Sequence, residues 1–160
     1  MQSRTLTINE TGNTRSEATA MPSEPSLALG RRLVLVAEDD PSLRRLIVTV
    51  LQDAGYAVVE AQDGAQLLDE IEELLAGPRT RSDSFLIVTD INMPGLTGLD
   101  VLAILRCASA RTPVVLITAF GDAETRAEAR ELGAVTVLDK PFTVDVLRDV
   151  VDQATQSHRE

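Results

Sequence analysis

From Leu33 onward two hydrophobic patterns take turns along the chain: short unbroken apolar runs, and longer stretches in which apolar residues recur every three or four positions. The first kind predicts strands buried on both faces, and the second predicts amphipathic helices. Leu33 to Ala37 is a first strand, after which Pro41-Ser42 opens a helix with Leu43, Leu46, Ile47, Val50 and Leu51 on one face. Gly55 closes that helix and Tyr56 to Glu60 form a second strand. Asp63-Gly64 turn the chain into a helix marked by Leu67, Leu68, Ile71, Leu74 and Leu75, which Gly77 and Pro78 stop. A polar segment, 79–84, leads to the strand Phe85 to Thr89, and Leu99, Leu102, Ile104 and Leu105 make a third helix. Pro113 to Ile117 is a fourth strand, followed by an alanine-rich helix from Asp122 to Leu132 whose weak apolar face predicts the loosest docking of all. Gly133 ends it, Val135 to Leu138 form a fifth strand, and a last helix is built on Val144, Leu147, Val150 and Val151.

Five strands alternating with five helices predict an α/β fold: a five-stranded parallel sheet, doubly wound as (βα)5, in the flavodoxin-like strand order 2-1-3-4-5. The pattern covers residues 32–155, one domain of a size that sustains a single core. Residues 1–31 are rich in Ser and Thr, contain Pro22 and Pro25, and lack apolar periodicity, so they read as a disordered tail. Residues 156–160 read as a frayed C-terminus, which contains His158, the one histidine.

Composition narrows the function classes. The formal charge is −10, and from residue 33 onward eleven basic residues face twenty-two acidic ones. Such a surface repels phosphate backbones, and four aromatic residues leave little to stack on bases, which argues against direct nucleic-acid binding. No apolar run approaches the ~20 residues that span a bilayer. A single cysteine, Cys107, cannot form an intrachain disulfide, which fits a cytoplasmic protein. Fourteen of fifteen basic residues are Arg, so the one lysine, Lys140, reads either as a chance substitution or as a place that calls for a compact ammonium where a guanidinium would not serve.

In a parallel sheet every strand's C-terminal end lies on one edge, where open α/β folds bind ligands. That edge gathers Glu38, Asp39 and Asp40, then Asp90, Thr118 and Lys140, from strands 1, 3, 4 and 5. Taken alone, Asp90 reads equally well as a turn former, and Asp40 is best read as an acid favoured by a helix N-terminus. Together the acids repel one another strongly, and a fold tolerates that when a cation compensates. Oxygen ligands without His or Cys suit Mg²⁺ or Mn²⁺ and not zinc. The acid run Asp69-Glu70-Ile71-Glu72-Glu73 is a solvated helix face.

These residues, in this order, resemble the receiver domain of bacterial response regulators, the CheY-like family of two-component signalling. The resemblance implies that Asp90 is the phosphoacceptor, taking a phosphoryl group from a sensor histidine kinase or a phosphotransfer protein. It implies that Glu38 and Asp39 position the metal, with Asp39 the direct ligand, and that Asn92 offers its backbone carbonyl to the same ion. Thr118 matches the switch hydroxyl and Lys140, before Pro141, the lysine of the family's Lys-Pro junction. A cis Lys140–Pro141 bond is expected, since cis bonds are essentially confined to X-Pro. The implied output is a repacked surface read by a so far unidentified protein, with no turnover beyond self-catalysed transfer and slow autodephosphorylation.

Two features depart from the pattern or add to it. Val137 stands three residues before Lys140, where many receivers have Tyr or Phe, so an aromatic rotamer cannot be the readout. Phe120, two residues past Thr118, is apolar where a ring covering the phosphoryl group would slow attack by water. Within the class, the chain reads either as a single-domain regulator or as the receiver portion of a larger regulator or hybrid kinase. A haloacid dehalogenase-type phosphohydrolase would also use an aspartyl-phosphate and Mg²⁺, but it wants a second acid two residues after the nucleophile, where Asn92 stands. A flavodoxin-like cofactor binder wants a phosphate loop after the first strand, and Glu38-Asp39-Asp40 would repel the phosphate.

Overall fold

The computed structural model describes residues 31–77 and 85–158. The predicted tail, apart from Arg31, and the polar segment 79–84 lie outside the described residues. In chain order the elements are β1 (Leu33–Ala37), α1 (Pro41–Asp53), β2 (Ala57–Ala61), α2 (Gly64–Ala76), β3 (Phe85–Asp90), α3 (Gly98–Cys107), β4 (Val114–Thr118), α4 (Ala123–Glu131), β5 (Thr136–Asp139) and α5 (Val144–Ser157). The strands are all parallel and stand in the order β2-β1-β3-β4-β5. Among the described residues no helix is long and apolar enough to cross a membrane.

The unbroken apolar strands follow from burial on two faces. Leu33, Leu35, Phe85, Ile87, Val114 and Leu116 point into one core layer with Leu67 and Ile71 of α2 and Leu102 and Leu105 of α3. Val34, Val36, Leu86, Val88, Val115 and Ile117 point the other way, against Ile47 and Leu51 of α1 and Leu147 and Val151 of α5. Alternate side chains of a strand face opposite ways, so a strand between two helix layers needs an apolar residue at every position. Each such Val, Leu or Ile contributes about 1.5–3 kcal/mol by leaving water. The resulting rigid sheet fixes where its strands end.

Those ends run one residue further than the apolar runs suggest in four of the five strands, at Ala61, Asp90, Thr118 and Asp139. Backbone pairing does not depend on side-chain polarity, and Asp90 pairs with Ile117 while Thr118 pairs with Asp139. At the start of β4, Pro113 has no N–H to give, although its carbonyl accepts from the Ile87 amide at 2.9 Å. Helix α5 likewise continues through Gln156 and Ser157, where the sequence suggested fraying; the Ser157 hydroxyl bonds the Gln153 carbonyl at 3.0 Å and His158 caps the end.

Each helix then begins at the rim formed by those strand ends, with Asp40, Asp63, Thr97, Asp122 and Thr143 as N-caps. Their side-chain oxygens accept backbone N–H groups that would otherwise be orphaned. The amides of Leu43 and Ser42 hold the Asp40 carboxyl below its usual range, so this acid serves the helix.

At the opposite edge a polar staple ties α5 to the start of β2. The Tyr56 hydroxyl donates to Asp152 and lies 3.1 Å from the Thr155 hydroxyl, and Arg32 donates to the Thr155 carbonyl. Burial, then the hydrogen bond to Asp152, raises the Tyr56 phenol above its ordinary value, with the Thr155 hydroxyl and then Arg32 opposing. A raised pKa means stability present while the phenol is protonated and lost as pH climbs through the folded value. Tyr56→Phe is therefore expected to cost about 1 kcal/mol in urea unfolding at pH 7. The gap to wild type should narrow once the pH passes about 10, the ordinary phenol value.

Candidate functional site

The rim brings together all six residues singled out from the sequence. Glu38 and Asp39 follow β1, Asp90 ends β3, Asn92 sits in the loop after it, Thr118 ends β4, and Lys140 follows β5. One carboxylate oxygen from each of Glu38, Asp39 and Asp90 lies within 4.8 Å of the others. Glu38 and Asp90 are buried, at 1% and 3% exposure, while Asp39 faces solvent. Lys140 Nζ donates to Glu38 Oε2 at 2.9 Å and to Asp90 Oδ2 at 2.6 Å. Its compact ammonium bridges two acids from different strands.

The second oxygen of each buried acid is held by backbone. Asp90 Oδ1 accepts the Asn92 amide at 2.9 Å, and Glu38 Oε1 accepts the Asp40 amide at 3.1 Å. Thr118 is buried, and its hydroxyl oxygen accepts the Phe120 amide at 3.1 Å with the Asn92 side-chain amide 3.5 Å away. A hydroxyl that accepts still has its own proton to donate. The Lys140 amide donates to the Thr118 carbonyl at 2.8 Å, which locks the two residues side by side, and the Lys140–Pro141 peptide is cis.

Burial pushes the Glu38 carboxyl up to about 7, against hydrogen bonds from Lys140 and the Asp40 amide, and the charge of Asp90 adds to the rise. Burial also works against the Lys140 charge, but hydrogen bonds to Asp90 and Glu38 outweigh it and leave the ammonium above its ordinary pKa. The crevice therefore holds more negative charge than its one lysine offsets.

Three supporting residues escaped the sequence reading. Arg44 Nη1 donates to the Glu38 carbonyl at 2.7 Å, and its Nε lies 3.6 Å from Glu60 Oε2. Side chains lean toward a helix's N-terminus, so an arginine one turn past the Asp40 cap reaches back over the strand end; that spacing was the available signal. Gly98 admits no side chain, because a Cβ there would sit 2.5 Å from the Asp90 carbonyl oxygen. Arg126 binds the carboxylate of Asp139 and the Gly121 carbonyl, the latter at 3.1 Å. Phe120, expected to cover the crevice, is instead 82% exposed, with its backbone tied to Thr118 and its ring in solvent. Val137 is partly buried against the core layer of α2 and α3.

Residues 34–152 match the family described as the response regulator receiver domain. Over 118 residues the chain is 30% identical to sporulation initiation phosphotransferase F of Bacillus subtilis, covering 74% of this chain and 89% of that one. Over 121 residues it is 31% identical to the transcriptional regulatory protein FixJ of Bradyrhizobium diazoefficiens, covering 76% of this chain but 55% of FixJ, so it spans about half of that relative. The solved receiver domain of Francisella response regulator 1452 superposes with a TM-score of 0.70 at 31% identity, covering 79% of this chain and 98% of that one. The chain belongs to the response regulator receiver domain family of two-component signalling. The phosphohydrolase reading of the haloacid dehalogenase type is not favoured.

Lys140→Met should leave two buried carboxylates facing each other and cost about 2 kcal/mol, the worth of hydrogen bonds to charged groups. Adding Asp90→Asn to that variant should recover much of the loss, because the repulsion goes with the charge. Urea midpoints of the two single variants and the double variant check both statements.

Proposed function

We propose that this domain accepts a phosphoryl group on Asp90 from a phosphohistidine of a sensor kinase or phosphotransfer protein, and that the modified crevice then switches a protein-binding surface. The observation that carries the proposal is the Lys140 ammonium lodged between Glu38 and Asp90 beside the third acid, Asp39. Three hard oxygen donors drawn from two strands, one of them an acid whose burial disfavours its charge until a cation compensates, fit Mg²⁺ or Mn²⁺. Glu38, Asp39 and Asp90 would hold the ion, with the Asn92 carbonyl as a further ligand. Once bound, the ion neutralises charge on the phosphoryl oxygens.

The chain's own groups do the rest. An Asp90 carboxylate oxygen attacks phosphorus, the phosphorus–nitrogen bond of the donor breaks, and the imidazole leaves carrying that electron pair. Transfer of this kind depends on positioning and charge neutralisation more than on covalent chemistry from the protein. The Asn92 amide and Lys140 fix the Asp90 carboxylate before the donor arrives. On its flexible stem the Lys140 ammonium follows the new charge onto a phosphoryl oxygen, and the Thr118 hydroxyl donates to another.

The donor needs a docking surface next to the crevice. An apolar groove of about 330 Å³ lies there, lined by Leu43, Leu46, Pro141 and Phe142, with Lys140 at its edge. Leu46 is 47% exposed although it lies on the apolar side of α1. A helix of the phosphodonor protein seated in this groove would bring its histidine to Asp90. Leu46→Glu is expected to slow transfer from a cognate kinase by more than about tenfold, as loss of a buried apolar anchor does. Transfer from acetyl phosphate should be unchanged.

The class itself is tested by incubating the protein with Mg²⁺ and acetyl phosphate and weighing it. Wild type should gain one phosphoryl group and Asp90→Ala none, and chelation should abolish the gain. An adduct of equal yield on Asp90→Ala, or none on wild type, would overturn the assignment.

A further inference from the structure

We infer that Arg126 is the positioning residue that couples the Asp90 crevice to helix α4, in the role an aromatic side chain at position 137 would otherwise fill. The inference rests on the phosphoacceptor reading and extends it to regulation of the same site.

Helix α4 has little apolar hold on the sheet. Ala129 is its one buried residue, whereas α1, α2 and α3 each bury three or more. Polar contacts fix its ends instead. Beyond the C-terminal end, Arg106 of α3 donates to the carbonyls of Leu132 and Gly133, at 2.9 and 3.0 Å. At the N-terminal end, Arg126 faces the crevice side of the sheet.

One guanidinium there spans two pieces of backbone that carry site residues. Its Nε donates to the Gly121 carbonyl at 3.1 Å, three residues past Thr118. Its Nη2 takes both oxygens of Asp139, the residue before Lys140 and the register partner of Thr118. Gly121 is wedged into the same junction. A Cβ there would stand 2.9 Å from Arg126 Nη2, from Asp139 Oδ1 and from Thr118 Cγ2. Arg126, Asp139 and Thr118 therefore crowd the one junction and leave no room for a side chain at 121, and a shift of Thr118 toward a phosphoryl group on Asp90 carries Gly121, three residues along the same short loop, with it.

A planar fork cannot follow one partner without losing the other. Asp139 is held in β5, so movement of Gly121 breaks the two-point grip of Arg126 and loosens the first turn of α4. Lysine would keep a charge next to Asp139 without the fork geometry that also holds Gly121. With Val137 in place of an aromatic, this grip is the side-chain link that joins the Thr118 loop, α4 and β5 at one point, beside the Asp122 cap that joins loop to helix alone.

The test is amide hydrogen exchange on the full chain, with and without Mg²⁺ and acetyl phosphate, for wild type, Arg126→Ala and Arg126→Lys. Phosphorylation of wild type should speed exchange in residues 123–131 by at least about fivefold, the low end of ordinary coupling between sites. In both variants those amides should already exchange fast without the phosphoryl group, and phosphorylation should change them less than about twofold, below that range. Protection in β1 and β3 should stay as in wild type, which separates lost coupling from lost stability. The mass shift on Asp90 should persist in both variants. An α4 response to phosphorylation of equal size in all three proteins would overturn the coupling role and leave the phosphoacceptor reading intact. A wild type without the mass shift would overturn both.

Discussion

The ammonium of Lys140 is the interaction on which the rest of the rim depends. Glu38 and Asp90 leave water almost completely, and their charges face each other across the ends of adjacent strands β1 and β3. Repulsion between buried carboxylates grows as the local dielectric falls, so the arrangement needs a cation small enough to reach both. A guanidinium is planar and wide, whereas the ammonium is a point charge with three donors. The lysine comes from β5, an edge strand, and its amide is tied to β4 through the Thr118 carbonyl. One residue thus links four strands, three through its charge and β4 through its backbone amide, and the geometry of the crevice inherits the rigidity of the sheet beneath it.

Much of this was legible in the sequence, for physical reasons. Strands sandwiched between helices must be apolar throughout, so β1, β3 and β4 announce themselves as unbroken runs, and the acids that follow have to lie on the same edge. Lys140 stood out because every other base is Arg. Strand ends were less readable, because the ladder continues through Asp90 and Thr118 whatever their side chains. The arginine contacts were not readable at all apart from Arg44. Arg106 reaches the Leu132 carbonyl across 26 residues and Arg126 reaches Asp139 across 13, and contacts of that kind leave no periodic mark. Phe120 misled because an apolar residue beside a site suggests a cover, while a loop tip held by its own backbone can leave the ring in solvent.

The helices divide by what holds them. Those that bury leucine, isoleucine and valine stripes are secured by the hydrophobic effect, which is non-directional and survives small shifts. Helix α4 is secured by hydrogen bonds and an ion pair with fixed geometry. The Arg126–Asp139 pair is partly exposed, at 36% and 58%, so by itself it adds little stability. Directional contacts fail abruptly when one partner moves, and elements held that way are drawn from the low-stability end of a fold. The expectation of weak docking from an alanine-rich sequence and the polar clamps at both ends of α4 are two sides of one property.

That property matters because of where the charge sits. The crevice already carries three acids against one lysine, and a phosphoryl group accepted on Asp90, as proposed, would add negative charge beside glycines that leave no room for a side chain. A rigid sheet cannot absorb the change, since both of its faces are close-packed and resist deformation. The strain has to leave through the loops, and among these the β4–α4 loop adjoins the element with the least apolar hold. On the proposed reading, a local change of charge at Asp90 would be converted into movement of one helix, with the core layers on either side of the sheet undisturbed.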